Sequence, residues 1–290
     1  MTLDDRIEKD LSELYNGGAT PGVIKDALDL NGLIKAKSGL TSFATMALPG
    51  YYTGNREAKT VMVMLNPGID VSIANANLKC DICKRSMSNA GDVANYHISC
   101  ANYGHRDRMR QDNFDLKQAF FLNKWNNKYT GISLPSGLCA GSDPQTLLDA
   151  KEIVLTQKLQ LELIPYASSS FGSFGKRKIS KVIPFVETLF DEIFSHDRKY
   201  VIFCSRKFKR VFEEYNKAHP GTIDFLGIHS NPIVGSKIIG SCTKICIHYN
   251  NKSLKAIIAN TFPNQALSNA FALMEKYGDF CYNVYRCNHI

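Results

Sequence analysis

The stretch "VMVMLNPGID", Val61 to Asp70, opens with five apolar residues and then turns through Asn66-Pro67-Gly68. A short, near-continuous apolar run bounded by turn residues reads as a strand buried on both faces, the form strands take in parallel sheets. Leaving such a strand through an amide, an imino acid and a glycine makes a turn able to hold something, although the same tripeptide also serves as an ordinary turn. Three further runs share the pattern: "LQLELIPY" (159–166), "YVIFCS" (200–205) and "LKAIIANT" (254–261).

Helical patterns lie between these runs. Asp143-Pro144 offers a side-chain cap and a first-turn proline to "PQTLLDAKEIVLTQ". From 179 to 194, Ile179, Val182, Ile183, Val186, Leu189, Phe190 and Ile193 fall on one stripe. Ser205 can cap a third helix running through Tyr215, and Asn264 a fourth in which Leu267, Ala270, Phe271 and Met274 share a face. Strands alternating with helices predict an α/β fold: a three-layer α/β/α sandwich around a central, mostly parallel sheet of four to five strands.

The reading is of one domain over residues 1–290, with two additions. Residues 1–45 form a helical extension containing the amphipathic "DDRIEKDLSELY" and "PGVIKDALDL". Residues 69–142 form an insertion rich in Asn, Cys, His and Arg, periodic only near "FDLKQAFFLNKW". Between the third helix and the last strand, "KIIGSCTKICIHYNN" (237–251) alternates well enough for a β-hairpin.

With 44% hydrophobic and 21% charged residues the composition is that of a globular chain with a substantial core. No apolar run reaches the roughly 18 residues that span a bilayer, and "MTLDDRIEKD" is too charged for a signal peptide, so a cytoplasmic monomer with no membrane partner is expected. Nine scattered cysteines, an odd number, fit reduced thiols better than a disulfide framework. The net charge of +8 concentrates in "HRDRMR" (105–110), "GKRKISK" (175–181) and "SRKFKRVF" (205–212), which suits a polyanion such as DNA; solvated lysines are the plainer account of any one cluster.

In open α/β sheets, ligands bind beyond the carboxyl ends of the strands. Those ends here carry "LNPG", the segment "PYASSSFG", Ser205-Arg206-Lys207 and "FPNQALS". Taken in this order, the motifs resemble the uracil-DNA glycosylase superfamily. "LNPG" is closest to the "INPG" of its mismatch-specific branch, and "FPNQALS" resembles the second motif, usually "HPSPLS" or "NPSGLS". The resemblance covers about residues 50–280 without the insertion.

The resemblance implies hydrolysis of an N-glycosidic bond after a nucleotide is flipped out of duplex DNA, leaving an uncut abasic site. Asn66 matches the position that orients the water, with Asp70 a nearby candidate base. The family's histidine is missing, so Asn264 becomes the candidate donor to the departing base. Pro67, Gly68, Glu162, Tyr166, Ser168 and Phe171 would surround the base. Glu162 stands where the family has the asparagine that reads uracil, and a carboxylate only accepts hydrogen bonds, which favours the amino group of cytosine. It could equally pair with a lysine or face solvent. Gly68 replaces a tyrosine that blocks 5-substituents. These two departures point to a phage-defence branch acting on modified cytosine, including glucosylated hydroxymethylcytosine. Leu267 is the candidate wedge, Phe262, Pro263 and Ser268 would grip DNA, and Lys176, Arg177, Arg206 and Lys207 would meet phosphates. A uracil or mismatch glycosylase, a nucleic-acid-binding protein without chemistry and an enzyme of free nucleotides remain the alternatives.

The chemistry needs no cofactor. Cys80-x2-Cys83 with Cys100 and His105 could hold a structural zinc that orders the insertion, or the cysteines could be unliganded. His97 is a further ligand candidate, and His97 or His105 could instead approach the base. The cysteine pair follows the first motif, whereas the family's iron-sulfur cysteines begin before it, so zinc is preferred.

Overall fold

A computed structural model describes residues 1–15, 22–36, 39–40, 42–66, 113–126, 129–168, 173–174, 179–230, 240–262 and 271–287. In chain order the elements are α1 (Leu3–Tyr15), α2 (Lys25–Asp29), β1 (Ile34–Ala36), β2 (Gly39–Leu40), β3 (Tyr52–Gly54), β4 (Thr60–Met64), α3 (Asn113–Leu122), α4 (Pro144–Gln157), β5 (Leu159–Glu162), β6 (Ser173–Phe174), α5 (Ile183–Phe194), β7 (Tyr200–Phe203), α6 (Lys207–Ala218), β8 (Ile223–Ser230), β9 (Ser241–Tyr249), β10 (Lys252–Ala259) and α7 (Phe271–Arg286). They fall into two compact units. The first comprises Met1–Tyr52, Met64–His97 and Leu161–Ser195; the second comprises Thr53–Val63, Ile98–Gln160 and His196–Ile290.

In the first unit, α1 turns Leu3, Ile7, Leu11 and Leu14 inward, the spacing of one helical face. Arg6 and Asp10 are buried on the same helix. The helix packs on α5, and β2, β1 and β6 form a small antiparallel sheet. The stripe expected as one helix over 179–194 divides into a 3-10 turn, Ile179–Val182, and α5, whose first turn holds Pro184. Proline is tolerated there because a first-turn amide has no partner to lose.

Nearly all of the seven-stranded sheet belongs to the second unit, in the order β3-β5-β4-β7-β10-β9-β8. The apolar runs beginning at Thr60 and Tyr200 form neighbouring parallel strands, Thr60 opposite Tyr200, and β10 continues the parallel arrangement from β7. The expected mostly parallel sheet is corrected beyond β10: β9 pairs antiparallel with β10, and β8 antiparallel with β9. The sheet is mixed. Its antiparallel part arises because the hairpin is longer than "KIIGSCTKICIHYNN" and turns at its last two residues. Asn250 and Asn251 have φ of 48° and 60°, the left-handed pair a tight type I′ hairpin requires.

The helices form for reasons visible in the sequence. The Asp143 carboxylate accepts from the amides of Gln145 and Thr146, at 2.9 and 3.1 Å, and so caps α4. Ser205 lies one residue outside the cap of α6, which is Arg206; its hydroxyl still accepts the Lys207 amide at 3.2 Å. Among the described residues, no helix is long and apolar enough to cross a membrane.

Candidate functional site

Beyond β4 and β5 the chain continues side by side: the amides of Leu163 and Ile164 donate to the carbonyls of Met64 and Leu65, each at 2.9 Å. This lateral pairing carries Asn66 opposite Tyr166 and Ser168. The Asn66 amide nitrogen donates to Ser168 Oγ at 2.8 Å and reaches the Tyr166 carbonyl at 3.5 Å. A carbonyl can only accept, so the donor end of the amide faces it and the acceptor end, Oδ1, points elsewhere. The segment opposite is anchored in turn, since Ala44 donates to the Ala167 carbonyl and Gly50 to that of Pro165.

Of the residues expected around a base, those described are buried or half-buried. Tyr166 is 1% exposed, its ring edge-on to Phe185. Its hydroxyl donates to Asp10 Oδ2 at 2.9 Å, and Tyr51 donates to the same oxygen at 2.7 Å. Ser168 is fully buried beneath Asn66. These two therefore support Asn66 from below. Glu162 borders a cavity of about 10 Å³ together with Arg6, Tyr51, Phe185, Thr188 and Glu192. That volume has room for a water and none for a base.

Sequence reasoning missed Asp10, Tyr51 and Arg6. The available signal was charge on the apolar stripe of α1, where residue 10 stands seven positions after Leu3 and three after Ile7. Arg6 is held by Asp26 at 2.9 Å and Thr188 at 3.2 Å, with its guanidinium 4.1 Å over the Phe185 ring. Burial pushes the Asp10 carboxyl up to about 6, against the pull of both tyrosine hydroxyls and Arg6. Burial also raises the Tyr51 and Tyr166 hydroxyls well above the ordinary range. Among the described residues, Asp10 Oδ1 has no hydrogen-bond partner.

A raised carboxyl means that the folded state holds its proton more tightly than the unfolded chain. The associated stability is complete below about pH 4 and is lost as pH rises through 6. Moving from 3.8 to about 6 corresponds to about 3 kcal/mol. Asp10→Asn keeps an oxygen for both tyrosines and cannot ionise. Urea unfolding from pH 4 to 8 should therefore show the wild type losing about 2–3 kcal/mol relative to the variant. Parallel curves would refute the assignment.

In the second unit, Arg206 and Lys207 follow β7. The Arg206 amide donates to the Asn260 carbonyl at 3.3 Å, and Asn260 Nδ2 donates to Ser241 Oγ at 3.2 Å and Thr243 Oγ1 at 3.1 Å. Arg206 is exposed and Lys207 half-buried. Burial first, then the neighbouring Arg206, lowers the Lys207 ammonium to about 8. Phe262, assigned by sequence to the DNA grip, is a core residue: 2% exposed and edge-on to Phe121 at 5.2 Å and Phe114 at 6.3 Å.

One other arrangement in this unit resembles catalytic machinery. His248 Nδ1 lies 2.8 Å from Ser253 Oγ and Nε2 lies 2.9 Å from Asp224 Oδ2. Ser253 and His248 face each other in the β9–β10 ladder on an exposed surface. Acyl transfer by such a serine also requires amides aimed at an oxyanion, and the backbone beside Ser253 is committed to strand pairing. These contacts are cross-strand polar pairing.

Pro67, Gly68, Asp70, Phe171, Lys176, Arg177, Pro263, Asn264, Leu267 and Ser268 lie outside the described residues, as do Cys80, Cys83, His97, Cys100 and His105. Among the described residues no group of three or more His, Cys, Asp or Glu side chains could hold a metal ion. No protein-family model matches the chain, and no curated protein matches it.

Proposed function

We propose that the protein is a DNA glycosylase, a three-layer α/β/α enzyme of the uracil-DNA glycosylase type, that removes a modified cytosine by hydrolysis. The observation that carries this reading is Asn66: just past a central strand, its amide nitrogen is engaged by Ser168 and Tyr166, which fixes the orientation of the amide whose oxygen is the proposed acceptor for the water. An amide orients water without taking its proton. The water oxygen bonds to the sugar carbon as the glycosidic bond breaks, and the base leaves with that electron pair and gains a proton. Asp70 is the proposed acceptor of the water's proton, and the Asn264 amide the proposed hydrogen-bond donor that stabilises charge on the departing base, which takes its proton from solvent. Much of the rate would come from fixed dipoles.

The substrate class rests on sequence: a glycine at 68, where the resembled family's tyrosine would block carbon 5 of a pyrimidine, and Glu162, an acceptor-only group. The cavity beside Glu162 has room for a water and none for a base, so recognition of an amino group by Glu162 would have to be water-mediated. Cys80, Cys83, Cys100 and His105 are, by residue type, the proposed donors to a structural zinc outside the chemistry.

The test is incubation with duplexes carrying uracil, hydroxymethylcytosine or glucosylated hydroxymethylcytosine, followed by mass spectrometry of released bases. Release of a modified cytosine without strand cleavage is expected; silence on all three substrates would leave a nucleic-acid-binding protein without chemistry.

Phosphate contact by Lys207 has a pH signature. Its ammonium is charged below about 8 and neutral above, so duplex affinity should fall by about threefold to tenfold between pH 7 and 9. Lys207→Arg should remove the fall, because guanidinium stays charged throughout. An identical fall in the variant would exclude Lys207 as the titrating group.

A further inference from the structure

We infer that the second unit carries a binding site for an aromatic anion, a nucleobase bearing a phosphate, in the recess where β4 and β7 begin. The recess has a volume of about 280 Å³ and is lined by Lys59, Tyr129, Lys199, Tyr200 and Tyr285. It lies at the amino ends of those strands, the end opposite Arg206 and Lys207, and the inference does not rest on the glycosylase reading.

The walls are fixed from behind. Trp125 is fully buried, donates through its indole nitrogen to the Gly278 carbonyl at 3.1 Å, and has its ring centre 5.9 Å from those of both Tyr200 and Tyr285. Tyr200 and Tyr285 lie 5.2 Å apart, and the Tyr285 hydroxyl donates to the Lys199 carbonyl at 2.5 Å. The Lys59 carbonyl accepts the amides of both Lys199 and Tyr200, at 2.9 and 3.1 Å, which locks the two lysines to one rim. Beside Tyr129, Thr130 is pinned through its carbonyl, which accepts from Thr60 Oγ1 at 2.8 Å. Tyr129 itself is 64% exposed, an unusual outlay of aromatic surface to water.

The charges select the ligand. Tyrosine rings alone would suit a quaternary ammonium, but Lys59 and Lys199 repel a cation. The acidic neighbour on this rim, Asp197, sits 2.6 Å from the Lys199 ammonium in a solvent-exposed pair that a phosphate can displace at small cost. Phosphate on its own would make no use of the rings. A planar base stacks on tyrosine while its phosphate meets the lysines, and the volume accommodates about one nucleotide. The source is a free mononucleotide or the terminal nucleotide of a strand.

Trp125 is the single tryptophan of the chain and touches two of the lining rings, so its fluorescence reports occupancy. The intact protein should be titrated with dAMP, deoxyadenosine, deoxyribose 5-phosphate and a short single-stranded oligonucleotide. Saturable dAMP binding is expected, with the nucleoside and the sugar phosphate each about tenfold weaker or more. Tyr129→Ala and Lys59→Ala alter exposed side chains and should each weaken dAMP at least about fivefold. An oligonucleotide that binds more tightly than dAMP assigns the site to a strand end; one that does not assigns it to free nucleotide. Absence of saturable dAMP binding, equal binding of the sugar phosphate, or binding unchanged in both variants would overturn the inference.

Discussion

Asn66→Ala is expected to slow base release by about 10²- to 10³-fold while leaving duplex affinity within about threefold of wild type. The magnitude is that of removing one preorganised polar group from a site where charge develops, and the selectivity follows from where Asn66 sits. Its side chain is held from below by Ser168 and the Tyr166 carbonyl, so its acceptor oxygen is positioned before substrate arrives. In the proposed reaction, alanine would leave the attacking water without that acceptor. It also leaves the buried Ser168 hydroxyl without the amide, a stability cost of about 1 kcal/mol that thermal unfolding would register separately. Asn66→Asp keeps the size but sets a carboxylate against the Tyr166 carbonyl, so it should also be slower than wild type. Affinity measured by fluorescence anisotropy and release measured in single turnovers separate catalysis from binding. Base release by Asn66→Ala at the wild-type rate would remove Asn66 from the mechanism.

The central strands were legible because burial on both faces leaves a nearly unbroken apolar run: β4 is buried throughout, and the end of β10 likewise. Asp143-Pro144 marked the start of α4 because a side-chain cap and a first-turn proline act locally. The antiparallel edge was harder to read, since β8 is largely solvent-facing and lacks an apolar run. Asn250-Asn251 held the missing turn signal: reading 237–251 as a self-contained hairpin hid that these two residues turn β9 back onto the strand already expected at 254–261. Asn66 was legible as a polar residue closing a buried strand. Tyr166 was placed among the base-contacting residues, yet its hydroxyl points to Asp10, because β5 ends at Glu162 and strand alternation no longer applies four residues later. Asp10 was illegible for a different reason: a carboxylate in a charged amphipathic helix looks solvated until tertiary packing closes over it.

Gly278→Ala should be a strongly damaging single-methyl addition in the second unit, and composition gives no hint of it. Glycine inside an exposed helix normally costs about 1 kcal/mol relative to alanine, so the substitution would ordinarily stabilise α7. Here α7 crosses α3 at Gly278, and a Cβ built there would lie 1.8 Å from the Phe121 carbonyl oxygen and 2.7 Å from its carbon. Both are backbone atoms, and no side-chain rotation relieves the clash. The helices must separate, disturbing the Trp125 bond to the Gly278 carbonyl and the edge contact of Phe121 with Tyr277 at 5.7 Å. Overpacking that moves backbone costs about 1–3 kcal/mol or more, which for a chain of this size lowers the melting temperature by about 5 °C or more. Gly141→Ala is the matched control, because nothing lies within 4 Å of a Cβ there. Calorimetry of the two variants should show Gly278→Ala clearly destabilised and Gly141→Ala close to wild type. Equal melting temperatures would mean that α3 and α7 do not meet through this glycine.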